Sequence, residues 1–532
     1  MNLNMLSKER HSMKENKITI FRILSFIVLL ICVGSAIYFF RDHIHTNLDA
    51  DEASELVLAR LLSSEGKLLT KNWYYSSELS FLNMNVVYTL FFKLTDKWYR
   101  VRLFGTITVY LFFLLSYYRM TCIYKIREYF SLTAAVFFIP FSFEYYSFVL
   151  KGAWYLPYII FTILILILSE RSLYLSGWKK YLLLCFTFFF AVVLGMHGAR
   201  ELLILFMPLL FASLNLVIEK GRKQNAKKWF GFSVAAFCGA VTGYLINALI
   251  LVNHYHFQTW DDVKFVKLSF SRLERVLNSL LDLCGYRTDS VFSSSLLPNA
   301  VCLVWILFSA YALIFGIRNR KTVSGAYRRL AAFVASALFI FVIYYLFTDT
   351  YVRGRYYSPI TVFCIPLCGL YLKESDWNKN LAKAVSLLMV SVTVVSGFLF
   401  YHQEWNNRPS IEIRRIAKDL VESDYLNGYS SFWNANVLTE LSNGIIDVWS
   451  ISDGPEDLKY IPSIDRTYHW LQLVSHDTTH PEGKVFLLLS KDEMDNVWKN
   501  ELKPEDVIIK TNNYTVYGYE SYDSLIEHLY PQ

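Results

Sequence analysis

Charged residues are scarce in this chain, and their scarcity decides the class of protein. Only 18% of its 532 residues are Asp, Glu, Lys or Arg, whereas 54% are hydrophobic and 17% are aromatic. An ordinary soluble domain contains about 25% charged residues. The composition therefore excludes a soluble globular protein of ordinary make-up and indicates a membrane protein.

Several sequence features that would indicate other classes of protein are missing. No small-residue cleavage site follows the first apolar run before Arg41, so this run is expected to remain as a helix. We find neither the internal repeats nor the polar, broken midplane helices that are usual in transporters. Cys284 is the single cysteine expected in an outer loop, so no outer disulfide is predicted. The segment after residue 401 contains no nucleophile elbow, phosphate loop or metal-ligand spacing.

Long apolar runs, in contrast, are abundant. A bilayer core about 30 Å thick needs roughly 20 apolar residues per helix, and such runs recur between residues 18 and 400 with short polar breaks. The sequence therefore predicts an α-helical polytopic membrane protein with about eleven transmembrane helices. The predicted spans start near Ile18, Val101, Tyr129, Trp154, Tyr181, Leu202, Trp229, Pro298, Leu330, Pro359 and Ala384.

Basic residues set the expected orientation of these spans. Lys8, Arg10 and Lys14 precede the first span, and further clusters of Lys and Arg occupy alternate loops as far as Lys383. The positive-inside rule then places the N-terminus in the cytoplasm and the chain after residue 401 outside it, for a protein of the plasma (inner) membrane. Since anionic lipids and topology account for much of the net charge of +7, we expect membrane lipids and no nucleic acid as partners.

Three outer regions, at residues 41–100, 253–297 and 401–532, are long enough to carry function. Together with the spans, these regions predict two domains. The first is a transmembrane domain over residues 1–401 with an outer loop at 41–100, and the second is a small extracytoplasmic α/β domain over 402–532. Apolar residues at helical spacing predict helices lying on the membrane at 51–69 and 263–283. In the C-terminal domain the pattern predicts two helices and four strands. The helices are 411–423 and 435–441, and the strands are 429–433, 445–451, 484–489 and 514–519.

The first outer loop begins with a cluster of carboxylates. The stretch NLDADEASELVLARLL, residues 47–62, contains Asp49, Asp51, Glu52 and Glu55. One interpretation is structural, because carboxylates at a helix start cap its amides and favour its dipole, with Asp49 or Asp51 as the cap. The other is catalytic: one carboxylate is a general base, and its neighbours position a cation or a sugar hydroxyl.

The sequence DEASELVLARLLSSEGKLLTKNWYYSSEL, followed by MNVVYTLFFKL, resembles the first outer loop of GT-C glycosyltransferases. This superfamily of polytopic enzymes includes the protein mannosyltransferases and the lipid A aminoarabinose transferase. The resemblance implies that Asp51 activates the acceptor with Glu52 beside it, and that Glu78 is a second carboxylate. The spacing DADE leaves Asp49 as a competitor to Asp51. The proline-rich stretch of many relatives is replaced by LSFLNMN, which leaves the acceptor open.

A second match is YVRGRYYSP, residues 351–359, which resembles the Arg-Tyr-x-x-Pro pattern of the superfamily. A phosphate leaving group at the membrane surface needs a fixed cation, and the planar fork of Arg suits it. Arg355 is the first choice for binding the donor phosphate and Arg353 the second. The alternative is that Arg and Tyr only anchor a helix end at the interface.

A third candidate is MHGARELL, the turn at residues 196–203. Arg200 is placed to hold the donor phosphate. His197 is a weaker candidate for sharing a divalent metal ion with Glu78 or Asp51, because imidazole and carboxylate suit such ions. No cofactor is otherwise expected, and simple solvation of the turn is the alternative.

The resemblance implies a glycosyltransferase that uses a polyprenyl-phosphate sugar as donor and acts on the extracytoplasmic face. The acceptor is a glycan, a lipid or a protein. In the expected single displacement, Asp51 removes a proton from the acceptor, Arg355 steadies the departing polyprenyl phosphate, and the anomeric centre inverts. Two other classes stay open: a transporter or flippase of a lipid-linked saccharide, and a non-catalytic scaffold for envelope assembly.

Overall fold

The computed structural model describes residues 3–76, 79, 82–218, 223–257, 263–287, 296–451, 469–498 and 502–529. Its α-helices, numbered in chain order, are α1 (Leu3–His43), α2 (Ala50–Glu65), α3 (Met84–Phe92), α4 (Trp98–Ile123), α5 (Phe130–Phe137), α6 (Phe143–Tyr145), α7 (Tyr155–Ser172), α8 (Gly177–Gly195), α9 (Met207–Ile218), α10 (Lys223–Leu249), α11 (Phe270–Leu283), α12 (Leu296–Arg318), α13 (Gly325–Phe347), α14 (Ser358–Thr361), α15 (Cys364–Glu374), α16 (Lys379–Glu404), α17 (Ile411–Glu422), α18 (Phe432–Leu441), α19 (Lys491–Glu493) and α20 (Tyr522–Leu529). The strands are β1 (Tyr74–Tyr75), β2 (His256–Phe257), β3 (Asn427–Ser431), β4 (Asp447–Ile451), β5 (Val485–Ser490), β6 (Val507–Lys510) and β7 (Tyr514–Tyr519).

In the described part of the chain, eight helices are long and apolar enough to cross a membrane. They lie at Ile20–His43, Trp98–Ile123, Tyr155–Ser172, Gly177–Gly195, Asn225–Asn253, Leu296–Arg318, Gly325–Phe347 and Lys379–Glu404. The fold is thus the helical membrane protein that the apolar runs predict.

The other three predicted spans are shorter or interrupted. The one near Tyr129 contains α5, which has eight residues and ends shortly before Pro140. The one near Leu202 begins with a π-helical turn, Leu202–Phe206, that leads into α9. The one near Pro359 is divided into α14 and α15. Proline lacks the amide hydrogen that a continuous helix needs, which explains the end of α5 before Pro140 and the break before Pro366 in α15.

The chain forms two compact units, and neither is continuous in sequence. The first, called here the membrane unit, contains Met1–Phe39, Val109–Leu245 and Asp262–Trp405. The second, called here the loop unit, contains Phe40–Thr108, Ile246–Asp261 and Asn406–Gln532. A domain boundary between residues 401 and 402 stays a prediction.

Helices of the membrane unit approach each other closely through glycine. A Cβ atom on Gly195 of α8 would lie 2.0 Å from the carbonyl oxygen of Ala240 in α10, and one on Gly243 would lie 2.0 Å from that of Val192. Such contacts are typical of membrane helices, which associate through small residues. Elsewhere in this unit Arg329 of α13 and Glu170 of α7 form a buried ion pair, with Nε and Oε1 2.5 Å apart.

The loop unit contains a five-stranded sheet of order β4-β3-β5-β7-β6. Strand β3 pairs in parallel with β4 and β5, and β7 pairs antiparallel with β5 and β6. This is the α/β domain predicted after residue 401. Strand β6 and helix α20 were not predicted. In β6 half-buried and exposed residues alternate at the sheet edge, which gives a weak hydrophobic signal.

The two helices predicted to lie on the membrane have different environments. In α2, the apolar residues Ala53, Leu56 and Leu62 are buried within the loop unit. Helix α2 is therefore a core helix, and its predicted position on the membrane surface is wrong. In contrast, α11 and the residues before it expose Phe265 and Phe270, as an interfacial helix would.

Candidate active site

The structural interpretation of the acidic cluster holds for two of its members. Asp49 is the N-cap of α2, and its Oδ1 accepts a hydrogen bond from the amide of Asp51 at 2.9 Å. The carboxylate of Glu52 in turn accepts the amide of Asp49 at 3.4 Å, which completes a capping box. Asp49 and Glu52 thus fix the start of the helix, and the ambiguity between Asp49 and Asp51 is resolved for the cap.

Asp51 and Glu55 occupy the next positions of the same helix, outside the capping box. Asp51 is half-buried, and its backbone carbonyl accepts the hydroxyl of Ser54 at 2.7 Å. Glu55, one turn later, accepts the side-chain amide of Asn83 at 3.5 Å. Residues 51 and 55 share one side of a helix. A general-base role for Asp51 stays a prediction.

A buried arginine that was not predicted supports the start of α2. Arg102 of α4 binds Glu440 of α18 through Nε at 2.6 Å and Nη2 at 2.5 Å. Nη2 also donates to the backbone carbonyl of Glu52 at 2.8 Å. Both side chains are almost fully buried, and the guanidinium lies 5.6 Å from the ring of Tyr88. Glu440 is 338 residues from Arg102 in sequence, so only the folded chain reveals the pair.

His45, shortly before the acidic cluster, is held neutral. Desolvation lowers its pKa from 6.5 to about 4, and the positive charges of Arg414 and Arg102 act in the same direction. Its ring packs against Tyr99 with centroids 4.9 Å apart. At physiological pH the imidazole adds no charge to this region.

Glu78, the predicted second carboxylate, lies outside the described residues. Four residues earlier, the hydroxyl of Tyr74 donates to the carboxylate of Asp477, which also binds Nε2 of His469 at 2.7 Å. Burial and this hydrogen bond raise the pKa of Tyr74 to about 12. The sequence WYY draws attention to Tyr74 as a candidate binding residue. No sequence pattern indicates that the distant Asp477 and His469 lie beside it.

In the membrane unit, Arg355 lies on an aromatic surface. Its guanidinium is 4.2 Å from the ring centroid of Phe148 and 5.6 Å from that of Tyr356. Its backbone amide donates to Glu144 at 3.2 Å. These aromatic contacts orient the guanidinium group of Arg355 and do not neutralise its positive charge.

Arg200 lies against the same group of rings. Its guanidinium is 5.4 Å from the ring centroids of both Tyr155 and Tyr158, and Tyr155 contacts Phe148 at 6.1 Å. Arg200 and Arg355, 155 residues apart in sequence, are thus joined through Phe148 and Tyr155. We call Arg200, Arg355, Phe148, Tyr155, Tyr158 and Tyr356 the arginine–aromatic cluster.

Irregular backbone flanks this cluster. Phe148 lies in a π-helical turn, Tyr146–Lys151, and Arg200 lies two residues before the π-helical turn Leu202–Phe206. Ala153, before α7, has a left-handed backbone with φ of 54°, a conformation that costs a non-glycine residue on the order of 1 kcal/mol. Such irregularities are frequent at functional sites.

Arg353 has a separate environment from Arg355. It is exposed, and its guanidinium lies 4.7 Å from the ring centroid of Tyr351. Desolvation and the charge of Glu144 raise the pKa of Asp282 in α11, and Arg353 opposes this shift. Between the two arginines, Gly354 fits against α11: a Cβ atom there would be 2.9 Å from the carbonyl oxygen of Ser279.

An apolar cavity of about 220 Å³ lies beside these residues in the membrane unit. Leu283 of α11 and Tyr145 line it, and their sequence neighbours Asp282 and Glu144 are the carboxylates near the arginine segment. The rest of its wall comes from α12, α13, α15 and nearby segments, for example Trp305, Leu338 and Ile365.

His197, the predicted metal ligand, pairs with a neighbour on its own turn. Its Nδ1 lies 2.9 Å from Oε1 of Glu201, and both side chains are buried. Across the described ranges, no three His, Cys, Asp or Glu side chains are grouped closely enough to hold a metal ion. A shared metal with Glu78 or Asp51 stays a prediction.

The described architecture defines a polytopic helical membrane protein with a small α/β domain. No protein-family model matches the chain, and no curated protein matches it by sequence. Among solved structures, it is similar to ArnT from Cupriavidus metallidurans in the apo state, with a TM-score of 0.57 and 12% identity. The similarity covers 95% of this chain and 99% of that one. ArnT is a GT-C lipid A aminoarabinose transferase, and the similarity confirms the predicted GT-C-like fold.

Proposed function

We propose that this protein is a membrane glycosyltransferase. It moves a sugar from a polyprenyl-phosphate donor to a glycan, lipid or protein acceptor on the extracytoplasmic face of the inner membrane. The observation that carries the proposal is the arginine–aromatic cluster: in a GT-C-like fold, two arginines from distant parts of the sequence lie against one group of rings. Paired, oriented guanidinium groups suit a phosphate leaving group.

The apolar cavity supports a lipid-carried donor. Its wall is almost entirely hydrophobic, and Leu283 and Tyr145 place it next to residues that contact the arginine segment. An isoprenoid chain can enter such a cavity from the bilayer without loss, because the cavity wall and the lipid tails are similarly apolar. A cationic cluster and an apolar cavity in the same unit suit the two ends of a polyprenyl phosphate.

Different residues act on the acceptor and on the leaving group in the proposed reaction. Asp51 removes the proton from an acceptor hydroxyl, whose oxygen then forms a bond to the anomeric carbon of the sugar. The bond from that carbon to the phosphate oxygen breaks on the opposite side, so the configuration inverts. Arg355 and Arg200 stabilise the negative charge of the departing polyprenyl phosphate. A divalent ion held in part by His197 would neutralise further phosphate charge.

The test compares cells that carry the wild-type protein, no protein, Asp51→Asn or Arg355→Ala. Envelope glycans and lipid-linked sugars are profiled by mass spectrometry, and the membrane level of each variant is measured. Loss of a positioned base typically lowers a rate by about 10² to 10⁴-fold. We therefore expect Asp51→Asn to abolish one glycan modification while its polyprenyl-phosphate sugar accumulates, and Arg355→Ala to reduce the same modification.

Arg353→Ala is the matched control for Arg355→Ala, because Arg353 is exposed and lies on a different ring. Its transfer should remain close to that of the wild type. The proposal is wrong if deletion of the protein, or Asp51→Asn at a normal protein level, leaves every envelope glycan unchanged.

A transporter or flippase of a lipid-linked saccharide is the second candidate. The structure contains interrupted apolar segments, namely the π-helical turns before α7 and α9 and the break between α14 and α15. Broken helices are frequent in transporters. In that case the lipid-linked sugar would accumulate on the cytoplasmic leaflet in deletion cells, and Asp51→Asn would have no effect.

A further inference from the structure

Arg102 lies where three elements of the loop unit meet. The start of α4 contacts the end of α18, since the amide of Trp98 donates to Oδ1 of Asn443 at 3.2 Å. Gly444 is close enough to Trp98 that a Cβ atom would lie 2.6 Å from the indole. Helix α2 packs along α18 in the same unit. Arg102 therefore bonds to α2 from a junction that has little room to move.

The bonding of Arg102 is more specific than an ion pair requires. Glu440 alone would neutralise the guanidinium, and it does so through two hydrogen bonds. The additional bond from Nη2 to the Glu52 carbonyl fixes a backbone group that adjoins Asp51. A guanidinium can hold a carboxylate and a carbonyl at once because its donors form a rigid planar fork, which Lys lacks.

A buried ion pair usually adds little to the net stability of a protein. Removing two charges from water is costly, and well-packed apolar residues of similar volume often stabilise a protein as much or more. Conformational specificity is the better reason for such a pair, and the specific geometry here is the first turn of α2.

We propose that Arg102 and Glu440 are positioning residues that hold the first turn of α2, and with it Asp51, in the orientation needed for proton abstraction. The inference rests on the proposed transferase function. It assigns a role to residues outside the acidic motif and outside the arginine–aromatic cluster.

The test replaces both charges together, in Arg102→Met/Glu440→Leu, so that no buried charge is left unpaired. The matched control is Arg329→Met/Glu170→Leu, the other buried Arg–Glu pair described here, which lies in the membrane unit. Three quantities are measured on the purified full-length protein or in cells: the thermal midpoint, amide hydrogen exchange of residues 50–55, and envelope glycan transfer.

We expect both double variants to keep a thermal midpoint near that of the wild type. In Arg102→Met/Glu440→Leu, amides of residues 50–55 should exchange about tenfold faster, while those of β5 are unchanged. Transfer should fall on the order of 10²-fold, as small misplacements of a catalytic group can cause. The control pair should retain both the exchange rates of residues 50–55 and the transfer.

Each contrary result has one meaning. If Asp51→Asn abolishes transfer while Arg102→Met/Glu440→Leu retains it, the positioning role is wrong and the transferase function stands. If exchange of residues 50–55 is unaltered in the double variant, the positioning role is also wrong. If neither Asp51→Asn nor deletion of the protein changes any glycan, the transferase function itself fails, and the positioning role fails with it.

Discussion

Asp49 and Asp51 are two residues apart and make different contacts at the start of α2. Asp49 accepts an amide of the first turn of α2 as its N-cap, so its carboxylate is used in fixing the backbone. Asp51 is outside the capping box and half-buried. Sequence spacing alone did not separate them, because DADE offers two equivalent alignments. The hydrogen bond from the Asp51 amide to Asp49 supplies the distinction.

This difference predicts that the same substitution has opposite effects on transfer at the two positions. Transfer is expected to be lost in Asp51→Asn and retained in Asp49→Asn. Asn is as good an N-cap as Asp, so Asp49→Asn should retain both the thermal midpoint and transfer, whereas Asp49→Ala should cost about 1 kcal/mol of stability. The thermal midpoints and the glycan profiles of the two variants provide the measurement. Loss of transfer in Asp49→Asn at normal stability would instead identify Asp49 as the base.

His45 predicts a dependence of stability on pH. Burial and two nearby arginines lower its pKa from 6.5 to about 4, so the unfolded chain binds this proton more tightly than the folded protein does. Stability associated with neutral His45 is therefore complete above about pH 6.5 and is lost as the pH falls towards 4.

At pH 5 we expect this effect to amount to about 1 to 2 kcal/mol. The thermal midpoint of the wild type should therefore fall between pH 7 and pH 5 by more than that of His45→Gln. Equal decreases in the two proteins would show that other groups dominate the acid sensitivity.

At the scale of elements, α11 connects several parts of the membrane unit. Its early residues expose a large apolar surface, and its last turn lines the apolar cavity. Between these parts, Ser279 and Asp282 contact the segment that carries Gly354. A change at this contact should therefore alter the position of Arg355 without removing any charge.

Gly354→Ala tests this contact. A Cβ atom there would meet the Ser279 carbonyl at 2.9 Å and the Leu283 amide nitrogen at 3.2 Å, and both are backbone atoms with little freedom to shift. We expect destabilisation by about 1 to 3 kcal/mol and reduced transfer.

Gly231→Ala in α10 is the matched control, because no atom outside its own helix lies within 4 Å of the added Cβ. It should be neutral or slightly stabilising, since Ala favours a helix over Gly by about 1 kcal/mol. If Gly354→Ala gives wild-type transfer and thermal midpoint, the contact with α11 does not position Arg355.

At the scale of the whole molecule, the basic loops predict a single orientation in the membrane. The N-terminus and the loop around Lys321 are expected in the cytoplasm, and the α/β domain is expected outside. Alkaline phosphatase fused after residue 425 should therefore be active, because the enzyme matures only outside the cytoplasm. A fusion after residue 321 should be inactive. The reverse pattern of activities would invert the proposed topology.

The fold was largely predictable from sequence, because its signals are local. Apolar runs long enough to cross a bilayer identify the spans, and alternating apolar residues identify strands such as β5 and β7. Proline near residues 140, 359 and 366 explains why two predicted spans, those near Tyr129 and Pro359, are short or interrupted. The role of α2 was less predictable, since an apolar helix side looks the same whether a membrane or a protein core covers it.

The sequence by itself determined that this is a membrane protein, that α2 begins with clustered carboxylates, and that arginines occur near residues 200 and 355. These properties depend on composition and on neighbours a few residues apart. Only the tertiary structure decided that Arg200 and Arg355 share one group of rings, and that Arg102 binds both Glu440 and the Glu52 backbone. Contacts between residues hundreds of positions apart depend on how helices pack, and no local pattern encodes that packing.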